Sequence, residues 1–336
     1  MNSAGEAIQG NGSSVAIRSR VDAAFKQLES IGFKLPGDFA FAFEYAATQF
    51  NSRTLYTVFA LGSILTDEQP ITVRGTFYRA VSAGIYPDTS DAYYDACKER
   101  ILDMRRAGLI PYHWISDSTR RRLKPSSWSG LDDYAETVAQ AYRKDLWERQ
   151  EDYLEIFVEK DAMAGVIEPI TNQYDITLNV IRGNCSETFI YRVAELWKQI
   201  EKPIHVYYLG DHDPNGLKIE EDLRKRLQSF ANQLFDWQRL AITNEDFANN
   251  ELIGFPVKRN TKQPNGYWRS YLVEFGDRCV EVDAIPSSEI RDRIEEAILS
   301  HVDKREWELL KAQEAREKEA IRSGFGVFKD PTRHRQ

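Results

Sequence analysis

From residue 153 onward the chain alternates short apolar runs with longer amphipathic ones, and this rhythm constrains its fold more than any other feature. LEIFVE (154–159), DITLNVI (175–181), HVYYLG (205–210) and RLAIT (239–243) have strand length. Between them lie DAMAGVIEPITNQ, SETFIYRVAELWKQI and LKIEEDLRKRLQSF, with helical spacing. Parallel strands need a crossover long enough to hold a helix, so this order predicts the α/β class: a parallel sheet with helices on both faces. RCVEVDAIP (278–286) reads as a further strand. A helix, SSEIRDRIEEAILSHV, and a charged helix, KREWELLKAQEAREKEAIR, follow it. This last helix and the apolar FGVF (325–328) either dock a partner or pack on their own domain.

The first half has a different pattern. Val21, Phe25, Leu28 and Ile31 recur at helical spacing before Gly32 and Pro36, which predicts a helix over 18–33. Further helices are expected at Arg53–Leu65, after Pro70 (ITVRGTFYRAVSAG) and after Thr89 or Ser90 (SDAYYDACKERILDMRRAG), with LIPYHWI (109–115) as a short strand. Short helices followed by a strand hairpin are the layout of a winged helix. The expected organisation is a loose Gly/Ser tail (1–16), a helical and winged-helix domain (17–124), a linker and helix (125–150, with DYAETVAQAYRKDLWERQ helical), an α/β domain (151–302) and a charged helix with its tail (303–336).

Charge is uneven. The net is −8, yet residues 98–124 hold eight Lys/Arg against three acids, a local +5 that leaves −13 for the rest. A basic segment on an acidic chain points to a polyanion; it is also what a solvated helix face looks like. Cys97, Cys185 and Cys279 form no CxxC pair, which argues against a cysteine zinc site or a disulfide framework and fits a reducing cytoplasm. No apolar stretch approaches the ~20 residues of a membrane span, and no apolar signal core opens the chain. GxGxxG and GxxxxGK[ST] are both missing, so a nucleotide-phosphate cradle is not indicated.

The chemistry concentrates at strand ends. Glu159 closes the first strand, and Asp211 and Asp213 follow the third in VYYLGDHDPNG. Parallel α/β sheets bind ligands beyond their carboxyl ends. Alternate residues of an extended segment share a side, so Asp211 and Asp213 converge while His212 is expected to face solvent as a spacer. Three close carboxylates raise one another's pKa unless a cation lies among them, and hard oxygen donors suit Mg²⁺ or Mn²⁺. Asp-x-Asp-Pro-x-Gly also has the composition of a turn and helix cap. Glu281 and Asp283 are either a second acidic pair near this site or local caps.

A strand-end Glu followed by DxD on a later strand, here in VEKDAMAG and YLGDHDPNG, resembles the Toprim domain of topoisomerases, primases and related nucleases. The Pro and Gly after Asp213 resemble the topoisomerase VI A-subunit branch, which includes the meiotic double-strand-break transesterase. That branch has an upstream winged helix with an Arg-x-x-aromatic-Tyr motif, and TVRGTFYRAV supplies Arg74 and Tyr78 at that spacing. Phe77 stands where many relatives have Tyr. The likeness spans about 50–300, and shorter bacterial or mobile-element relatives are matched as well as a full subunit.

The resemblance implies Mg²⁺ (or Mn²⁺) held by Glu159, Asp211 and Asp213, and Tyr78 as the nucleophile assisted by Arg74. It also implies a 5′-phosphotyrosyl link to double-stranded DNA, and a homodimer in which Tyr78 of one chain serves the metal site of the other. A separate ATPase subunit is the partner such A subunits usually depend on. DNA would lie on Arg100, Arg105, Arg106, Arg120, Arg121 and Arg122, and the protein would be cytoplasmic and nucleoid-associated. Two other readings stand beside this one: a Toprim nuclease that hydrolyses DNA with metal-bound water, and a DNA-binding scaffold that does not cut. A tyrosine between Val73, Phe77 and Val81 also has the spacing of a core residue.

Overall fold

The computed structural model describes residues 5–35, 42–116, 126–249, 251–259 and 266–326. The amino-terminal part is helical: α1 (Gly5–Ser30), α2 (Phe43–Gln49), α3 (Leu55–Glu68), α4 (Val73–Ser82) and α5 (Asp91–Arg106). α3 is apolar on nearly every side and burial follows, with Leu55, Val58, Phe59, Ala60, Leu61 and Leu65 inaccessible to solvent. Phe25 of α1, Phe43 of α2 and Phe59 of α3 meet with ring centroids 4.8–5.5 Å apart and tie the three helices together. α1 ends as Gly32 predicts: this residue takes φ 75°, and the Phe33 N–H returns to the Leu28 carbonyl at 3.0 Å.

Three expectations fail in this half. The loose tail expected over 1–16 is helical from Gly5. Extending a helix that Val21, Ala24 and Leu28 already anchor in the core costs only about 1 kcal/mol per glycine, far less than nucleating one. The strand expected at 109–115 is a 3-10 turn, Tyr112–Trp114, joined to the rest by one parallel bridge between Ile71 and Ile115. Pro111 fixes its own φ and has no N–H to donate, so a hairpin does not start there. The helix expected over 133–150 is α6 (Leu131–Ala141) alone. Beyond it the chain turns, because Asp145 Oδ1 accepts from the Trp147 N–H at 2.9 Å and the Trp147 indole donates to the Tyr174 carbonyl at 2.7 Å.

The second half has the predicted α/β class. β1 (Tyr153–Val158), β2 (Thr177–Val180), β3 (Ile204–Leu209) and β4 (Asp236–Ala241) form one parallel sheet in the order β2-β1-β3-β4. The crossovers are α7 (Asp161–Tyr174), α8 (Glu187–Trp197) and α9 (Pro214–Ala231). Alternation along the strands separates two cores. Ile156, Val158, Tyr207 and Leu209 pack with α7, while Phe157, Val206 and Tyr208 pack with α8 and α9. α10 (Asn244–Ala248), α11 (Trp268–Phe275), α12 (Ser287–Leu299) and α13 (Lys304–Gly326) complete the chain. α12 joins α7 on the first face, and α13 lies along α6.

The strand expected at 278–286 is not formed. That segment makes two isolated antiparallel bridges, His212–Val280 and Phe255–Cys279, then a 3-10 turn at Val282–Ala284. It crosses the carboxyl end of the sheet, where its N–H groups go to separate partners: Cys279 to the Phe255 carbonyl, Val280 to the His212 carbonyl and Val282 to the Asp211 carboxylate. Among the described residues, no helix is long and apolar enough to cross a membrane.

Candidate functional site at the carboxyl ends of the strands

The ladder between β1 and β3 runs one step past β1, with the Glu159 N–H on the carbonyl of Leu209, the last residue of β3, at 2.9 Å. Gly210 exchanges hydrogen bonds with Ala241 and Ile242 at 2.8 and 2.9 Å, so β4 fixes the exit of β3. Asp213 then caps α9: its Oδ1 accepts from the N–H groups of Asn215 (2.9 Å) and Gly216 (2.7 Å), and Pro214 fills the first helical position. The turn-and-cap role expected of this motif is therefore real.

Gly216 also draws the acids together. A Cβ there would stand 2.4 Å from the Asp211 carbonyl oxygen and 3.2 Å from Glu159 Oε2, so only glycine lets α9 begin this close. All three acids thus approach one residue, two through carboxylate oxygens and Asp211 through its backbone. Asp211 Oδ1 accepts from the Val282 N–H at 2.8 Å, whereas Glu159 Oε2 is buried with no hydrogen-bond partner. Burial, reinforced by Asp211 and Asp213, lifts the Glu159 carboxyl to about 7. Burial likewise raises Asp211 to about 6, with Glu281 and Asp283 adding to it and Lys160 opposing.

Sequence reasoning passed over Lys160, the neighbour of Glu159. Its ammonium donates to Asp283 Oδ2 at 2.5 Å and Glu281 Oε2 at 3.0 Å and lies 3.7 Å from Asp211 Oδ2. Burial opposes its charge, but these carboxylates, Asp283 foremost, hold its pKa well above the usual lysine range. Glu281 and Asp283 thereby join the site through Lys160. The missed signal is a basic residue next to the strand-end acid, pointing to the opposite side of the extended chain.

From Glu281 the network reaches α4. Arg74 Nη1 donates to Glu281 Oε1 at 3.2 Å and to the Tyr78 hydroxyl at 3.4 Å, and its guanidinium covers the Tyr94 ring at 4.7 Å. The Thr72 hydroxyl, cap of α4, donates to Asp283. Tyr78 is only 2% exposed, as the core spacing of Val73, Phe77 and Val81 expects. Burial, then Glu281, raises its phenol pKa, against the Arg74 hydrogen bond. Tyr78 and the acids are joined through Arg74, Glu281 and Lys160 within one chain.

His212 corrects its expectation. It is buried, not solvent-facing: stacked on Phe247 at 4.0 Å, with Nδ1 2.8 Å from the Tyr271 hydroxyl and Phe275 edge-on. Pairing with Val280 brings α11 over the side where solvent was expected, and burial lowers the imidazole to about 4. Of the basic residues, Arg100 and Arg106 line a surface depression of about 400 Å³ with Phe50 and Asn51. Arg105 instead folds back, donating to the Tyr112 carbonyl at 2.9 Å and covering that ring. Arg120, Arg121 and Arg122 lie outside the described residues.

The hard oxygen donors of Glu159, Asp211 and Asp213 suit a small divalent cation, and the unpartnered Glu159 oxygen fits such an ion. The close convergence expected of these three is not reached: their ligand atoms do not all lie within 4.8 Å of one another, because Asp211 turns to the Val282 N–H and Asp213 to the start of α9, and among the described residues the set that does is Asp152, His205 and His301. No family model, curated protein or solved structure matches the chain.

Proposed function

We propose that the protein is a Mg²⁺- or Mn²⁺-dependent DNA-cleaving enzyme of the topoisomerase VI A type, with a helical amino-terminal half, a Toprim-like sheet and a homodimeric assembly. The observation that carries this reading is the strand-end acid cluster, in which a buried Glu159 oxygen has no partner and burial beside two aspartates raises its pKa. Glu159, Asp211 and Asp213 would hold the ion. An ion held there would supply charge neutralisation for the phosphate and the departing oxygen.

The remaining chemistry belongs to the chain. Arg74 donates to the Tyr78 oxygen and stabilises it as negative charge grows. The Tyr78 oxygen attacks phosphorus, the bond from phosphorus to the 3′ oxygen breaks, and the phenol proton ends on the 3′-hydroxyl, leaving a 5′-phosphotyrosine. Since Tyr78 is nearly inaccessible, α4 must shift to present it to DNA.

That burial favours a second reading, hydrolysis at the same acids with Tyr78 structural. Incubation of the chain with duplex DNA and Mn²⁺, resolved on denaturing gels, separates the two. A covalent protein–DNA adduct that Tyr78→Phe abolishes supports the transesterase. Nicks that survive Tyr78→Phe but vanish in Asp211→Asn support the hydrolase. DNA that is shifted but never cut overturns both and leaves a scaffold.

A further inference from the structure

At the opposite end of the sheet, where the strands begin, two histidines converge on one carboxylate. Asp152 immediately precedes β1, His205 is the second residue of β3, and His301 lies in the turn between α12 and α13. His301 Nδ1 is 2.6 Å from Asp152 Oδ2, and His205 Nε2 is 3.3 Å from Asp152 Oδ1. The two imidazoles lie against each other at a tilt of 45°, with centroids 4.3 Å apart.

We infer that Asp152, His205 and His301 form a binding site for a divalent transition ion of the Zn²⁺ class. The donor set is two imidazoles and one carboxylate, which suits Zn²⁺ better than Mg²⁺. A tetrahedral ion with bonds near 2.1 Å keeps its ligand atoms about 3.4 Å apart. The two contacts reach different oxygens of Asp152, 3.3 Å to Oδ1 and 2.6 Å to Oδ2, and one ligand atom from each of the three residues lies within 4.8 Å of the others, so small side-chain movements bring the set to that spacing.

The outer nitrogens strengthen the assignment. A ligating histidine normally engages its second nitrogen with a carboxylate or another oxygen, which fixes the ring. His205 turns Nδ1 to Asp236 Oδ2 at 3.3 Å, and His301 turns Nε2 to the Tyr207 hydroxyl at 2.7 Å. Each ring thus points one nitrogen inward at Asp152 and has an oxygen on the other. Bound metal would pin the start of β1, β3 and the α12–α13 turn to one another, far along the sheet from Glu159, Asp211 and Asp213.

The test uses the full chain, stripped with EDTA and desalted, with Co²⁺ as a coloured stand-in for Zn²⁺. One equivalent of Co²⁺ is expected to give the visible d–d absorption of a low-coordinate site, displaced by Zn²⁺ and not by excess Mg²⁺. His205→Gln and His301→Gln are each expected to lose it. Asp236→Asn, at a side chain 81% exposed that touches only the outer nitrogen, should weaken Co²⁺ binding about tenfold. Asp211→Asn should leave the absorption unchanged, which separates this site from the acid cluster. Zn²⁺ is expected to raise the melting temperature of the parent chain and not that of His301→Gln. Absence of the absorption in the parent chain overturns the assignment. So does absorption that survives both histidine variants, or that disappears in Asp211→Asn.

Discussion

At Gly216 a hydrogen atom decides how near α9 starts to Asp211. The obstacle to any larger residue is a backbone carbonyl, which cannot swing away as a flexible side chain can. Gly216→Ala should therefore cost about 1–3 kcal/mol in urea unfolding, and it should push Glu159 and Asp211 apart. Glu159 gives a second prediction, with a defined sign. Its carboxyl is raised from the ordinary 4.5 to about 7, so between those pH values the folded chain holds a proton the unfolded chain has lost. Stability of the metal-free protein should fall as pH rises through this window, by about 3 kcal/mol at most from this group. Glu159→Gln should remove most of that fall, raising the metal-free melting temperature at pH 8 with little change at pH 4. Calorimetry at the two pH values checks it, and an equal pH dependence in both proteins would refute the burial argument. Mn²⁺ should reverse the order at pH 8, stabilising the parent chain and not the variant.

Elements were legible where periodicity and burial agree. The four strands of the sheet and their crossover helices follow from apolar runs and helical spacing, because each element buries the face its sequence marks. Legibility failed where a long-range partner overrides the local pattern. Val280, Val282 and Ala284 alternate with Glu281 and Asp283 as a strand should, yet that segment is bound sideways to the DHD turn and to Phe255. His212 reads as a spacer because nothing near it in sequence announces Phe247, Tyr271 and Phe275. For the acid cluster, the residue types and strand ends could be read, whereas Lys160 as its counter-ion could not, since its partners Asp211, Glu281 and Asp283 all lie far along the chain. α13 shows the same contrast. Its charged sequence left open whether it serves a partner, but Trp307 and Leu310 are buried, and Trp307 packs on Trp147 at 6.2 Å and Tyr174 at 5.8 Å. Trp307→Ala should destabilise the chain by about 3–5 kcal/mol, and limited proteolysis should then cut within 304–326 first.

Taken whole, the chain carries a net charge of −8, with a local +5 over 98–124, and the proposed activity would require it to accept a phosphate polymer at strand ends crowded with carboxylates. These requirements conflict unless the two ends of the binding path differ. On that reading Arg106, exposed, and Arg100, half-buried and paired with Asp103, would offer cations to the nucleic-acid backbone, while Glu159, Asp211 and Asp213 would repel phosphate until a cation lies among them. Affinity for duplex DNA should accordingly depend on divalent ion as well as on salt. Removing one arginine–phosphate ion pair should flatten the log–log salt dependence by about 0.9. The double variant Arg100→Glu/Arg106→Glu should thus reduce the slope by about 1.8 and weaken every duplex alike, since phosphate binding carries no base information. Mn²⁺ at fixed ionic strength should tighten binding of the parent chain and leave Asp211→Asn unmoved. Fluorescence anisotropy with a labelled duplex measures both effects. An unchanged slope in the arginine variant would remove α5 from the DNA path, and an equal response of Asp211→Asn to Mn²⁺ would place the ion elsewhere. The second result would leave the acid cluster as a structural network, held by Lys160 rather than by metal.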